Sequence, residues 1–244
     1  MVRASVAMAA RNGERYIKDQ IDSILTCMSP EDELVISCDP STDSTVEIVN
    51  AYAASDSRIR VLINDIPGVQ SNFNNAVTHC VGKYIFFADQ DDIWIEEKID
   101  KVISVFEKTG ADMVMHDGYF TDENLNCLPG SIFKRYGTNN SFISNLIRCS
   151  YWGCCMAIRA TFRKIVCPFP TADKVWHDIW ISLMATRHGT IARCDDILVL
   201  HRRHADGQST LKRRPIPEII KHRVQIIKEI KRRERQRRLP RIRA

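Results

Sequence analysis

Three carboxylates fall within four positions at Asp89-Gln90-Asp91-Asp92, directly after the apolar, aromatic run Tyr84-Ile85-Phe86-Phe87-Ala88. Carboxylates this crowded repel one another unless a cation sits among them, and hard oxygen ligands suit Mg²⁺ or Mn²⁺. Such an ion is normally shared with phosphate. The plain alternative is a solvated turn closing a strand. Farther along, Asp178 lies between two indoles in Trp176-His177-Asp178-Ile179-Trp180. It is either the N-cap of an apolar helix or a general base in an aromatic-walled cleft, where burial raises a carboxyl's pKa. A cationic cluster, His201-Arg202-Arg203-His204, ends the apolar run Ile197-Leu198-Val199-Leu200.

These groups are far apart in the chain, so the fold has to gather them. A first strand over residues 5–9 runs into the turn signal Ala10-Arg11-Asn12-Gly13. A helical stripe of Ile17, Ile21, Ile24, Leu25 and Met28 follows, then a second strand over 33–37, broken by Cys38-Asp39-Pro40-Ser41. Thr42-Asp43-Ser44 offers an N-cap for a helix through about residue 54. Further strands are expected over 58–63, 83–88, 112–116, 151–158 and 197–204, with helices over 68–80, 95–108 and 179–186. Strands alternating with helices every ~25 residues imply right-handed crossovers and a mainly parallel sheet. Ligands then lie beyond the carboxyl ends of the strands. Ala10-Arg11-Asn12, Asp39, Asp89 with Asp91, and Asp117 are expected on that rim. Neither GxGxxG nor GxxxxGK[ST] occurs, so a carboxylate-bound metal is the simplest way to hold phosphate.

The 244 residues suffice for one large or two small domains. No apolar run reaches membrane-spanning length, and residues 1–5 lead straight into a strand, leaving no room for a signal peptide. Nine cysteines, an odd number without CxxC pairs, argue for reduced thiols in a cytoplasmic protein. Charge is divided unevenly. Residues 211–244 hold 14 Lys and Arg against 3 Asp and Glu, and the preceding residues 21 against 27. The tail reads as a basic amphipathic helix striped by Ile219, Ile220, Val224, Ile226, Ile227 and Ile230. An anionic membrane surface met through residues 212–243, on the inner face of the plasma membrane, is one expectation. A helix packed on the domain and a partner helix in an oligomer are the others. The body lacks the basic, aromatic surface that nucleic acid requires.

With the first strand, Asp39, the DQDD turn and the WHDIW element in this order, residues 3–210 resemble the inverting family 2 glycosyltransferases of the GT-A fold. The DQDDIW form is most similar to the bacterial branch acting on cell-surface polysaccharides, including rhamnosyltransferase-like members. The resemblance implies a Rossmann-like mainly parallel α/β sheet flanked by helices. Residues 3–117 would form a nucleotide-sugar-binding half and 118–210 the acceptor and catalytic-base half of the same domain, with 211–244 a basic helical tail. By position, Ala10 and Asn12 fall where the family has Thr-Tyr-Asn, Asp39 matches the acid that reads the nucleobase, and Asp89 lies near the ribose. Asp91 matches the metal acid and Asp178 the base. His204 matches a histidine facing the metal or diphosphate, with a solvated loop histidine as the alternative. Arg202 and Arg203 would steady the leaving diphosphate. Trp94, Trp176, His177 and Trp180 would lie on the acceptor side, His177 tuning or orienting Asp178. Two departures stand out: Ala10-Arg11 for Thr-Tyr, and Cys38-Asp39-Pro40 for Asp-Asp-Gly, where Pro40 fixes φ and removes a donor.

What this implies is a metal-dependent single displacement. A sugar would pass from a UDP- or dTDP-sugar to a hydroxyl of a cell-surface glycan or lipid-linked acceptor. A sugar nucleotidyltransferase would need a glycine-rich basic loop after the first strand. A haloacid-dehalogenase-type phosphatase would carry its DxD on the first strand rather than the fourth. A catalytically silent nucleotide-sugar-binding module is the reading from outside enzymology.

Overall fold

Runs of small, β-branched and aromatic residues form the buried strands, and amphipathic helices connect them. The computed structural model describes residues 1–170, 175–204, 215–237 and 239. Its first part alternates β1 (Ala4–Ala10), α1 (Ile17–Cys27), β2 (Glu33–Cys38), α2 (Thr45–Ser55), β3 (Ile59–Ile63), α3 (Val69–His79) and β4 (Tyr84–Asp89). These four strands are parallel, in the spatial order β3-β2-β1-β4. Ile17, Ile21 and Ile24 of α1 are buried, as a stripe at helical spacing requires.

The chain moves outward from β1 to β3 and then returns to the other side of β1 as β4. That reversal opens a crevice at the carboxyl ends of β1 and β4, the usual ligand position in such sheets. Register makes the crevice specific. Ala9 pairs with Asp89 and Ala10 with Cys38, so Ala10, Asp39 and Asp89 reach the rim side by side.

The remaining elements are β5 (Ile93–Trp94), α4 (Lys98–Thr109), β6 (Met113–Thr121), β7 (Cys127–Ser131), α5 (Ile132–Tyr136), α6 (Phe142–Ile147), β8 (Met156–Arg159), α7 (Ala160–Val166), α8 (His177–His188), β9 (Ile191–Arg202) and α9 (Ile216–Arg237). They extend the same sheet. β8 runs antiparallel between β4 and β6, β9 lies parallel to β6, and β5 pairs antiparallel with β9 at the edge. The result is mixed α/β with a mainly parallel sheet flanked by helices.

Three expectations change here. Residues 151–158 are not one strand: Gly153–Cys155 form a single 3-10 turn and only Met156–Arg159 is extended. Asp117 is not a rim residue, because β6 continues past it to Thr121. It is buried, and one carboxylate oxygen accepts from the Gly118 and Phe133 amides at 2.8 and 2.9 Å. Ser44 is the first cap of α2 but makes no side-chain cap bond; Asp43 instead accepts from the Thr45 amide at 3.1 Å.

The basic tail packs on the domain along one face of α9. Ile226 and Ile230 are buried, and Glu234 meets Arg187 at 2.5 Å and His188 at 3.1 Å. Arg233 donates to the carbonyls of Ile165 and Cys167, each at 3.0 Å. Ile220, Val224, Lys221, Lys228 and Lys231 remain on the exposed face. Residues 205–214, 238 and 240–244 lie outside the described residues, so the expected tail is covered only in part.

Candidate active site

At the crevice the strand ends and the first turn of α8 enclose a cavity of about 840 Å³. Ala10, Asn12, Asp39, Asp89 and Asp91 line it from the first part of the chain. Trp176, His177 and Asp178 line it from α8, and Arg202, Arg203 and His204 from the end of β9. Residues more than 160 positions apart in sequence thus face one hollow.

Asp39 is buried, and a buried carboxylate needs donors. One oxygen accepts from Asn64 Nδ2 at 2.6 Å and the other from the Gly68 amide at 2.8 Å. Asn64 carries no motif and was not legible in sequence. Pro40 lacks an amide, and the loop after β2 is tied by its neighbours instead. Thr42 N donates to Asn12 Oδ1 at 2.9 Å, and Asn12 N to Ser41 Oγ at 3.1 Å. Asn12 holds φ at 46°, a conformation asparagine tolerates better than most residues.

Three parts of the chain grip the DQDD turn: α1, the loop after β1 and the end of β9. Gln20 Nε2 of α1 donates to the Asp89 carbonyl at 2.7 Å. Gln90 bonds the backbone of Arg11. Asp91 Oδ2 lies 2.8 Å from His204 Nε2. Asp92 is buried, and its Oδ1 takes bonds from His201 Nδ1 at 2.7 Å and the Arg202 amide at 3.2 Å. Burial depresses His201, but the charges of Asp92 and Cys154 and the hydrogen bonds to both together outweigh it and hold the imidazole well above its ordinary pKa. Asp92, Cys154 and His201 together bring an oxygen, a sulfur and a nitrogen within 4.8 Å of one another. Asp92 is expected from sequence only as one of three acids crowded around a cation, and Cys154 carries no motif. The signal available was the fourth letter of DQDD, an acid too close to Asp91 to face the same way.

Electrostatic crowding fits this turn to a cation. Loss of bulk water, together with the charges of Asp92 and Asp91, pushes the Asp89 carboxyl from its ordinary 3.8 up to about 8. The Asp178 charge adds to that rise. A carboxylate oxygen and an imidazole nitrogen 2.8 Å apart, on Asp91 and His204, are a donor set for Mg²⁺ or Mn²⁺.

Asp178 is not an N-cap. Trp176 caps α8 and Asp178 lies within the first turn, where one carboxylate oxygen accepts from the Ile179 amide at 2.6 Å. His177 does not hydrogen-bond that carboxylate. Its ring lies 4.0 Å from the Phe73 centroid and 5.9 Å from that of Phe87, and burial pushes its pKa down to about 3. It is a neutral aromatic wall. A Cβ at Gly153 would come within 2.5 Å of its Nε2, so glycine is what lets the 3-10 turn approach.

Two expected acceptor-side residues are core instead. Trp94 is 3% exposed and stacks under the Lys98 ammonium, 3.8 Å from its ring centroid. Trp180 is fully buried, with its indole nitrogen donating to the Val166 carbonyl at 2.8 Å. Alternation along β5 and the helical period of α8 turn both rings inward. Trp152, which the sequence reading passed over, lines the cavity. The two arginines differ. Arg202 is committed to Asp19 at 3.0 Å and to the Asp91 carbonyl at 3.1 Å, whereas Arg203 lies 4.1 Å over Phe120 with a buried Nε that has no partner.

The family model described as Glycosyl transferase family 2 matches residues 5–166. The chain belongs to that family. This glycosyltransferase is 28% identical over 201 residues to UDP-Glc:alpha-D-GlcNAc-diphosphoundecaprenol beta-1,3-glucosyltransferase WfgD of Escherichia coli, covering 81% of this chain and 76% of that one. It is 30% identical over 150 residues to TuaG of Bacillus subtilis (strain 168), named for teichuronic acid biosynthesis. That alignment covers 58% of this chain and only 59% of TuaG. In structure it resembles TarS 1–349 of S. aureus, solved with UDP-GlcNAc, at a TM-score of 0.69 and 20% identity, covering 95% of this chain and 72% of that one. That likeness establishes the GT-A fold. The matched family stretch ends at Val166, ahead of Asp178 and the β9 cations. Among the described residues no helix is long and apolar enough to cross a membrane.

Proposed function

We propose that this glycosyltransferase moves a hexosyl or rhamnosyl unit from a UDP- or dTDP-sugar to a hydroxyl of a lipid-linked or cell-surface glycan, with inversion at the anomeric carbon. The observation that supports this reading is the single cavity shared by Asp39, Asp91 with His204, and Asp178. Asp39 and the loop held by Asn12 receive the nucleoside. Asp91 and His204 would hold Mg²⁺ or Mn²⁺, which supplies positive charge for the leaving diphosphate. Arg203, which donates to the Tyr136 hydroxyl at 3.5 Å and keeps an unpartnered Nε, would add to that charge. Asp178 accepts the proton of the attacking hydroxyl, opposite the donor acids. Trp176, Trp152 and the neutral His177 ring give apolar faces on which a sugar ring can stack. WfgD, named for a UDP-Glc donor and a diphosphoundecaprenol-linked acceptor, supports the uridine donor and the polyprenyl-linked acceptor, and TarS, solved with UDP-GlcNAc, supports the donor.

The test uses a polyprenyl-diphosphate-linked sugar as acceptor with UDP- and dTDP-sugars. Asp178→Asn should cut transfer by at least ~100-fold while Mn²⁺–UDP binding stays near wild type. Retained transfer would remove Asp178 from the role of base.

The exposed face of α9 fits an anionic lipid surface, with Ile220 and Val224 among Lys221, Lys228 and Lys231. Such a surface would keep a lipid-linked acceptor near the cavity. Reversing Lys221, Lys228 and Lys231 to Glu should abolish co-sedimentation with phosphatidylglycerol vesicles; unchanged binding would refute the anchor.

A further inference from the structure

Beyond β1 and β4 the ladder continues through a side chain. The last paired residues are Ala9 and Asp89. One step on, Gln90 Oε1 accepts from the Arg11 amide at 2.8 Å and Gln90 Nε2 donates to the Arg11 carbonyl at 2.8 Å. The carboxamide thus supplies one donor and one acceptor to a single residue, as a neighbouring strand would. Gly13 makes room for it. A Cβ there would lie 2.3 Å from Gln90 Oε1 and 2.5 Å from Cδ. Gly13 does not need glycine for its φ, so its bare Cα is explained by the amide above it.

We propose that Gln90 is a positioning residue that fixes the nucleoside-side loop 10–13 to the acidic turn, so that the two ends of the donor site keep one separation. The inference rests on the donor-site reading above. Gln90 sits between Asp89 and Asp91, while the loop it grips carries Asn12, which in turn holds Thr42 and Ser41 beside Asp39. Without the clamp the two loops are joined by the end of the β1–β4 ladder and, at one remove, by Gln20 of α1 on the Asp89 carbonyl. The arrangement also accounts for Ala10-Arg11. The side chain at position 11 is exposed and the clamp uses only its backbone, so the clamp itself does not select the residue type there. A hydrogen bond at an exposed edge with no wider consequence is the competing explanation, and it does not predict the glycine.

A double-mutant cycle on the full chain tests this. Gln90→Ala removes the clamp, and Gly13→Ala expels the amide without straining the backbone. Mn²⁺–UDP affinity by calorimetry should fall about tenfold in each single variant, the scale of two modest hydrogen bonds. The double variant should be no weaker than either, because both changes break one contact. Gln90→Glu, which keeps the acceptor but presents a carboxylate to the Arg11 carbonyl, should fall at least as far. Exchange of the Arg11 amide should accelerate in all of them, while the thermal midpoint hardly moves. Wild-type affinity in Gln90→Ala, additive losses in the double variant, or unchanged Arg11 exchange would each overturn the proposal. If the wild type itself failed to bind Mn²⁺–UDP, the donor reading would fall and the positioning role with it; Arg11 exchange would still report whether the clamp exists.

Discussion

Asp89 shows how single groups in this site answer to one another. In the metal-free protein its carboxyl keeps a proton up to about 8, against an ordinary 3.8. The native state therefore binds more protons than the unfolded chain between those values, and Asp89 makes stability fall as pH rises through that window. A divalent ion held by Asp91 and His204 would reverse the sense, because its charge beside Asp89 favours the ionised carboxylate. The rise in Tm on adding Mn²⁺ should accordingly grow between about pH 5 and 8, and Asp89→Asn should flatten that trend. A pH-independent metal shift in the wild type would contradict this account. His204→Ala should weaken Mn²⁺ binding at least about tenfold, read by titration of the ion without donor. At this scale sequence order was informative for Asp39, Asp91, Asp178 and His204, which all reach the cavity. It was silent on Asn64, on Cys154 and on the turn of Asp92 toward His201. Their places are set by contacts across the sheet, and no local pattern marks them.

Among elements, the strands that were easy to read are those buried on both faces. Residues 33–38 and 84–89 are near-continuous apolar runs, and their ends fell within a residue or so of expectation. The second part hides its strands. β9 begins at Ile191, but Arg193, Asp195 and Asp196 interrupt its first half, and only 197–202 looks like a strand. β8 is four residues long behind a 3-10 turn, too short for a period to register. Asp117 was misread for the same reason. Mid-strand acids are rare, so an acid after an apolar run looks like an end. Its real work is to satisfy the Gly118 and Phe133 amides where β6 and α5 meet. Asp117→Ala leaves both without a partner and should cost about 2–4 kcal/mol of stability, measured by urea unfolding, with Mn²⁺–UDP affinity unchanged. A loss of donor affinity without a loss of stability would return Asp117 to the site.

Across the molecule, one core joins the acids at the sheet rim to Asp178 on α8, so folding and assembly of the cavity are a single event. The same core buries many thiols. Burial pushes Cys38 and Cys194 up to about 11 and Cys149 and Cys167 up to about 12. In the unfolded chain such thiols ionise near ~8.5. Their contribution is intact below that pH and is lost as pH rises through the folded values, so Tm measured in reductant should drop steeply between about pH 9 and 12. A flat profile would mean the thiols are not buried as described. The tail answers to the whole fold as well. The stripe of α9 was legible, but which side it turned to the domain was not, since Arg233 and Glu234 take part in the packed face despite their charge.

The central claim is that one hollow holds the donor and the base together. A crystal structure soaked with UDP and Mn²⁺ tests it most directly. The account predicts uracil against Asp39, the ion between Asp91 and His204, and Asp178 across the cavity facing the diphosphate end. Nucleotide bound away from these residues, or an ion that leaves Asp91 and His204 uncoordinated, would contradict it.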